Sequence, residues 1–310
     1  MLNSDAPLNA DTPVIKPPRL RPGGVIGVVA PAGRVDPDAL HRGVLFLEGM
    51  GFSVRLGRRV SAAHRYFAGS DAERAEDLMA VWSDPAVDAV VCARGGVGTA
   101  RLIPMLDLDF FIHRPKICVG ASDITSLLLA LSARGMVAFH GPMVATHFGG
   151  KATPEMAACF TDVLSGRWVK MKFPEVRALR GGMAEGRLVG GCLTLLCTSI
   201  GTLYEIQSAN RILFLEDIHE APYRIDRMLS YLKALGKFDA VRGIVFGEMP
   251  GCEPAALPAI IDEVLGDVSF PVLFGFPSGH GIGTAVLPIG IGVRIDAAEA
   301  SLTLTESAVA

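Results

Sequence analysis

The chain has 310 residues, half of them hydrophobic and 20% charged, with a formal net charge of −3. That length suits two domains with a large core, and the charge balance supplies neither a basic field for nucleic acid nor a polybasic membrane patch. The six cysteines (Cys92, Cys118, Cys159, Cys192, Cys197 and Cys252) lie mostly in apolar runs without a C-x-x-C pair, as expected of reduced thiols in a cytoplasmic protein.

Residues 1–21 are rich in Pro, Asp and Asn and read as a disordered or loosely docked tail. Met1-Leu2-Asn3-Ser4-Asp5 lacks the basic start and apolar core of a signal peptide. Order begins at Gly24-Val25-Ile26-Gly27-Val28-Val29-Ala30, the continuous apolar run of a strand buried on both faces. Pro31-Ala32-Gly33 makes a turn, residues 36–50 have helical spacing, and Phe52-Ser53-Val54-Arg55-Leu56 reads as a second strand. A helix follows over 70–83, opened by Ser70 with Glu73 three residues later, a capping-box signature. Ala89-Val90-Val91-Cys92-Ala93 and Lys116-Ile117-Cys118-Val119 are the next strands. Strands alternating with helices over 22–150 predict an α/β domain with a doubly wound parallel sheet. Ligands of such sheets bind beyond the carboxyl ends of the strands.

Three loops leave that edge. After the third strand, Arg94-Gly95-Gly96-Val97-Gly98 matches neither common phosphate-binding pattern. It is a plain turn, a phosphate cradle, or the donor of one N–H to an oxyanion hole shared with Asp123. After the fourth strand, Gly120-Ala121 allows a sharp turn into an apolar helix and lifts Ser122 clear of the sheet. Ser122 is then either a helix cap or a nucleophile on an elbow, although the surroundings are not G-x-S-x-G. The third loop, His140-Gly141-Pro142-Met143, makes His140 a site-lining candidate; His140 and His147 lack the spacing of a zinc site.

Residues 151–186, bracketed by glycine pairs, read as a linker with some helix over 154–164, and 187–310 as a second domain. The apolar stretch 188–206 is interrupted by glycines and hydroxyl residues and is expected to be a buried helix, not a membrane span. Arg211-Ile212-Leu213-Phe214-Leu215-Glu216-Asp217 is a β-type run ending in two acids, which are either a solvated strand end or positioned functional groups. Tyr223 and Arg224 open a helix, where the arginine serves a local ion network or holds a substrate carboxylate. Strands are expected at 243–247, 272–276, 286–290 and 293–296, with a helix over 254–265. The second strand of this group leads to Gly279-His280-Gly281, whose flanking glycines suggest a backbone constrained to present the ring. One hydroxyl (Ser122), one carboxylate (Glu216) and one imidazole (His280), each at a strand end, fit a serine nucleophile, its orienting acid and its general base.

Taken in order, Arg94-Gly95-Gly96, Gly120-Ala121-Ser122-Asp123-Ile124-Thr125, His140-Gly141-Pro142-Met143, Leu215-Glu216-Asp217, Tyr223-Arg224-Ile225-Asp226-Arg227 and Gly279-His280-Gly281 resemble the LD-carboxypeptidases. That family includes murein tetrapeptide carboxypeptidases and microcin-immunity peptidases. The resemblance implies a flavodoxin-like N-terminal domain and a smaller β-rich C-terminal domain, usually dimeric, with the site between them. It implies a triad falling on Ser122, Glu216 and His280, an oxyanion hole on Gly96 and Asp123, and no metal or other cofactor. The implied reaction releases a C-terminal D-residue, typically D-alanine, from murein tetrapeptides during cytoplasmic wall recycling.

Three positions depart from the family pattern: Val97 in place of tyrosine, and Cys192 and Thr284 in place of asparagine. On this reading they line the cleft with Arg94, Gly95, His140, Tyr223 and Arg224, so they bear on the substrate and not on the reaction type. Three alternatives stand beside it. An immunity-type peptidase with the same triad would cleave a peptidyl- or aminoacyl-nucleotide. A cysteine hydrolase would use Cys118 or Cys192, whose apolar settings leave a thiol inert. A non-catalytic binder of wall peptides would have no use for a base beside a serine.

Overall fold

The computed structural model describes residues 14–167, 170–266, 268–283 and 285–310. The first sheet is built from β1 (Val25–Val29), β2 (Ser53–Leu56), β3 (Ala89–Cys92), β4 (Ile117–Gly120) and β5 (Ala138–His140), all parallel. Between them run helices α1 (Pro37–Gly49), α2 (Asp71–Ser83), α3 (Thr99–Leu102), α4 (Leu108–His113) and α5 (Thr125–Ser132). Local sequence sets the helix starts. Asp36 accepts the Ala39 N–H at 2.7 Å ahead of Pro37, and Ser70 and Glu73 form the expected reciprocal capping box on α2. The strands β1, β3 and β4 are buried almost throughout, as runs covered by helices on both faces must be.

The second sheet has eight strands: β6 (Lys170–Lys172), β7 (Arg177–Arg180), β8 (Met183–Cys192), β9 (Arg211–Glu216), β10 (Gly243–Glu248), β11 (Val272–Gly279), β13 (Gly292–Asp296) and β14 (Ser301–Leu304). Its centre, β8-β9-β10-β11, is parallel, and antiparallel strands finish both edges. The strand β12 (Leu287–Ile289) leaves this sheet and joins the first one antiparallel to β5, pairing Leu287 with His140. Helices α7 (Leu193–Ser199), α8 (Pro222–Ala234) and α9 (Leu257–Leu265) cover one face. A single core cluster joins Val28, Val119 and Phe139 of the first sheet to Phe160 of α6 (Pro154–Leu164) and to Leu188, Phe214 and Val293 of the second sheet.

One expectation is narrowed and two are corrected. Residues 14–21 are docked: Ile15 pairs with the chain at Gly135 and Val137, Leu20 is buried, and Lys16 bonds Glu306 at 2.8 Å. Residues 1–13 lie outside the described residues. The segment 151–186 is not a linker, because β6 and β7 are edge strands of the second sheet and α6 belongs to the shared core. The run from Leu188 is strand to Cys192 and helix only over Leu193–Ser199. A buried parallel strand and a buried helix show the same unbroken apolarity, so periodicity cannot separate them. Among the described residues, no helix is long and apolar enough to cross a membrane.

Candidate active site

The chain leaves β4 through an extended Ala121, and Ser122 then takes φ +61°. A non-glycine residue there costs on the order of 1–3 kcal/mol and persists where the surroundings demand it. A short 3₁₀ turn, Ser122–Ile124, runs directly into α5, and no side chain caps either start. Ser122 is thus lifted on an elbow and does not serve as a helix cap. Gly95 lies against it: a Cβ at residue 95 would stand 2.6 Å from Ser122 Cβ and 2.8 Å from its Oγ, so only glycine lets this loop rest on the serine. The buried Asp123 carboxylate accepts the Thr99 N–H at 2.8 Å, tying the loop's far end to the same turn.

Glu216 ends β9 with no exposed surface, and its Oε2 accepts a hydrogen bond from His280 Nδ1 at 2.6 Å. Burial alone would raise the carboxyl pKa, but the His140 and His280 rings beside it bring it down to about 2. For His280, burial pulls the other way from its carboxylate partner. The hydrogen bond and charge of Glu216, with Asp217 and Glu248 further off, leave the imidazole above its ordinary value of 6.5. With Nδ1–H committed to Glu216, Nε2 is the ring's free nitrogen.

The glycines around His280 have a steric reason. A Cβ on Gly279, itself at φ +126°, would lie 2.5 Å from Glu216 Oε2, and one on Gly281 would lie 2.2 Å from Glu248 Oε1. Glu248, at the end of β10, accepts the N–H groups of Ile282 (2.8 Å) and Gly283 (2.9 Å). The loop's neck is closed by Ala285 N–H to Pro277 O (2.8 Å) and Ser278 Oγ–H to Ala285 O (3.0 Å). His147, in a π-helical turn (Val144–Phe148), adds a contact from Nε2 to Gly279 O at 3.2 Å. Sequence reasoning missed Glu248, although its place at a strand end beside Gly247 is the same signal that marked Glu216.

The two sheets meet beside these groups. The Cys192 N–H donates to Thr125 Oγ1 at 3.2 Å, and a Cβ on Gly191 would collide with the Thr125 side chain. Thr125 is three residues beyond Ser122, and Cys192 is paired in register with Glu216. On the other side Gly141 N–H donates to Gly120 O at 3.1 Å, while the neighbouring His140 ring reaches Glu216.

The remaining candidates fall into separate places. Val97 is 46% exposed and Tyr223 58%, so both are available to a ligand. Arg94 bonds the Arg34 carbonyl at 2.8 Å, and Arg224 bonds Tyr223 and Glu220, each at 3.3 Å. That is the local network considered for Arg224. Two expectations of cleft lining fail. Cys192 is buried, its thiol 3.7 Å from Asp217, and burial followed by the Glu216 and Asp217 charges pushes its pKa well up, so it is no nucleophile. His140 has no exposed surface, because β12 and Phe214 close over it. Thr284 lies outside the described residues. Of the two acids, Asp217, just after β9, accepts both the N–H and the hydroxyl of Thr194 at 2.9 Å, at the start of α7.

Comparison with known proteins gives a consistent result. Residues 26–141 match the model of the LD-carboxypeptidase N-terminal domain and residues 185–295 that of the C-terminal domain. A probable murein peptide carboxypeptidase of Bacillus subtilis is 38% identical over 296 residues, covering 92% of each chain. A murein tetrapeptide carboxypeptidase of Pseudomonas aeruginosa is 34% identical over 286 residues, covering 86% of this chain and 91% of its own. The solved structure of the microcin C7 self-immunity protein MccF in complex with aspartyl sulfamoyl adenosine superposes with a TM-score of 0.89 at 26% identity, over 95% of this chain and 99% of that one.

Proposed function

The chain belongs to the LD-carboxypeptidase family, and from that premise we propose that it is a serine carboxypeptidase releasing the terminal D-alanine of murein tetrapeptides, with Ser122, Glu216 and His280 as its catalytic groups. The observation that carries this reading is the 2.6 Å bond from His280 Nδ1 to the buried Glu216; the φ of +61° at Ser122 adds a backbone shaped to present a hydroxyl. Glu216 fixes the tautomer in which His280 Nε2 can take the Ser122 proton. The serine oxygen attacks the carbonyl of the L,D-amide, and the N–H groups of Gly96 and Asp123 receive the oxyanion. His280 passes the proton to the leaving D-alanine amine as the bond breaks. Water then attacks the acyl-enzyme, giving its proton to His280 and returning Ser122.

The exposed Tyr223 and Val97 favour one second reading. An exposed aromatic ring, which here already carries the Arg227 guanidinium 5.4 Å from its centroid, could stack a base, and an amide of an aminoacyl-nucleotide is open to the same attack. A cytoplasmic site of action and a homodimer are parts of the same proposal. The first rests on six unpaired thiols, the second on family resemblance.

The test is incubation with murein tri-, tetra- and pentapeptides and aminoacyl-nucleotide analogues, with products identified by mass. Loss of one alanine from the tetrapeptide, abolished by Ser122→Ala with peptide binding nearly intact, is the expected result. Cleavage of the nucleotide analogues alone would favour the second reading. Hydrolysis surviving in Ser122→Ala overturns both.

A further inference from the structure

We propose that His140 is a positioning residue of this site: from the buried end of β5, its Nε2–H holds Glu216 Oε1 and leaves Oε2 for His280. The inference rests on the serine-hydrolase reading and adds to it a fourth side chain, one that touches neither substrate nor nucleophile.

Two orphaned atoms point to it. Among the described residues, His140 Nε2 and Glu216 Oε1 are both buried and lack a partner within hydrogen-bonding distance, yet they face each other at 3.5 Å. A buried carboxylate oxygen needs a donor, and this ring nitrogen is the group aimed at it. Proton accounting agrees. His140 Nδ1 lies 3.3 Å from Ser278 Oγ, whose single hydroxyl proton lies toward Ala285 O at 3.0 Å. The hydroxyl proton can instead turn to Nδ1, which leaves the neutral ring its proton on Nε2. That arrangement makes Nε2 the donor; without a proton there, two lone pairs would face each other where water cannot enter.

The ring's mounting suits the task. Its strand residue pairs with Gly120, two before Ser122, and its plane packs edge-on to Phe214 with centroids 4.9 Å apart. His140 thus carries the position of the nucleophile's strand to the acid on the other sheet. The groups that bear on His280 are otherwise Glu216 at the end of β9, Asp217 just after it, Glu248 from β10 and His147 from the π-helical turn, while Lys151 bonds Gly281 O at 3.3 Å in the same loop.

The experiment compares His140→Phe, His140→Gln and Ser278→Ala by the pH dependence of kcat/KM. Without the Nε2 donor, Glu216 attracts the His280 proton more strongly. The acid limb should therefore move up by about half a pH unit or more, with kcat down on the order of 10²-fold from misplacement. Glutamine, which can place an N–H where Nε2 stood, should restore the limb and most of the rate. Ser278→Ala, which frees the ring without removing it, should move the limb the same way by less; it also tests the idea if His140→Phe does not fold. A limb unmoved in His140→Phe and Ser278→Ala, whatever the loss in rate, overturns the proposal. Turnover surviving in Ser122→Ala would instead sink the underlying reading.

Discussion

His280 and Glu216 are 64 residues apart in the chain, yet the imidazole Nδ1 stands 2.6 Å from a carboxylate oxygen that water does not reach. This pairing makes the two residues one titrating and orienting unit, and the sharpest expectations concern it.

Glu216→Gln keeps the shape and removes the charge. The amide can present an N–H to Nδ1, which flips the ring to the tautomer with its proton on Nε2, the wrong form for a base. We expect kcat to fall on the order of 10⁴-fold with KM little changed, as steady-state kinetics on the cleaved peptide will read. A loss below about tenfold would remove Glu216 from the mechanism.

The signs of the two shifts set the pH behaviour. His280 must be neutral to act as base and its pKa is raised, so kcat/KM should fall as pH drops through a value above 6.5. For stability, a raised histidine contributes below its ordinary 6.5 and loses that contribution as pH rises through its folded value. The depressed Glu216 contributes above its ordinary 4.5 and loses it as pH falls toward about 2. The pair's contribution is therefore greatest between those ordinary values, below the pH of full activity. Subtracting the Tm–pH curve of Glu216→Gln from that of the parent protein should show a maximum in this window.

Gly279→Ala forces a Cβ to within 2.5 Å of Glu216 Oε2 at a φ of +126°. Strain of about 1–3 kcal/mol and a displaced carboxylate should lower both Tm and kcat. Gly49→Ala is the control, since nothing lies within 4 Å of its Cβ and the residue ends α1. It should leave kcat unchanged and keep or slightly raise Tm.

Glu248→Ala removes the acceptor of two N–H groups in the loop that carries His280. The loop sits at the surface, so global stability should change little. The imidazole loses its fixed place, and kcat should drop about tenfold or more. Equal loss of Tm and activity would mean that Glu248 is structural only.

Much of this was legible along the chain because its physical cause is local. The short apolar runs 25–29, 89–92 and 117–120, rich in β-branched residues and bounded by turn signals, read as strands covered on both sides, and Ser70 with Glu73 closes its own hydrogen bonds. Gly120-Ala121-Ser122 and Gly279-His280-Gly281 announced special backbone without showing what demanded it. For Gly120 the demand lies four residues on, where a Cβ would stand 2.5 Å from the Ile124 side chain; for Gly279 and Gly281 it came from distant strands, in the carboxylates of Glu216 and Glu248.

Tertiary structure alone decided the rest. Lys170-Met171-Lys172 is too short and polar to declare itself a strand; pairing with Ser301–Leu304 makes it one. Leu287–Ile289 reads as a strand from its own residues, but its crossing to the first sheet depends on the free edge of β5. That crossing buries His140, which the sequence placed in the cleft, and turns it toward Glu216. Local sequence sets what a segment can be, because propensity and capping act within a few residues. Which partner it takes, and so which side chains meet, is settled by edges and cavities that exist only once the chain has closed.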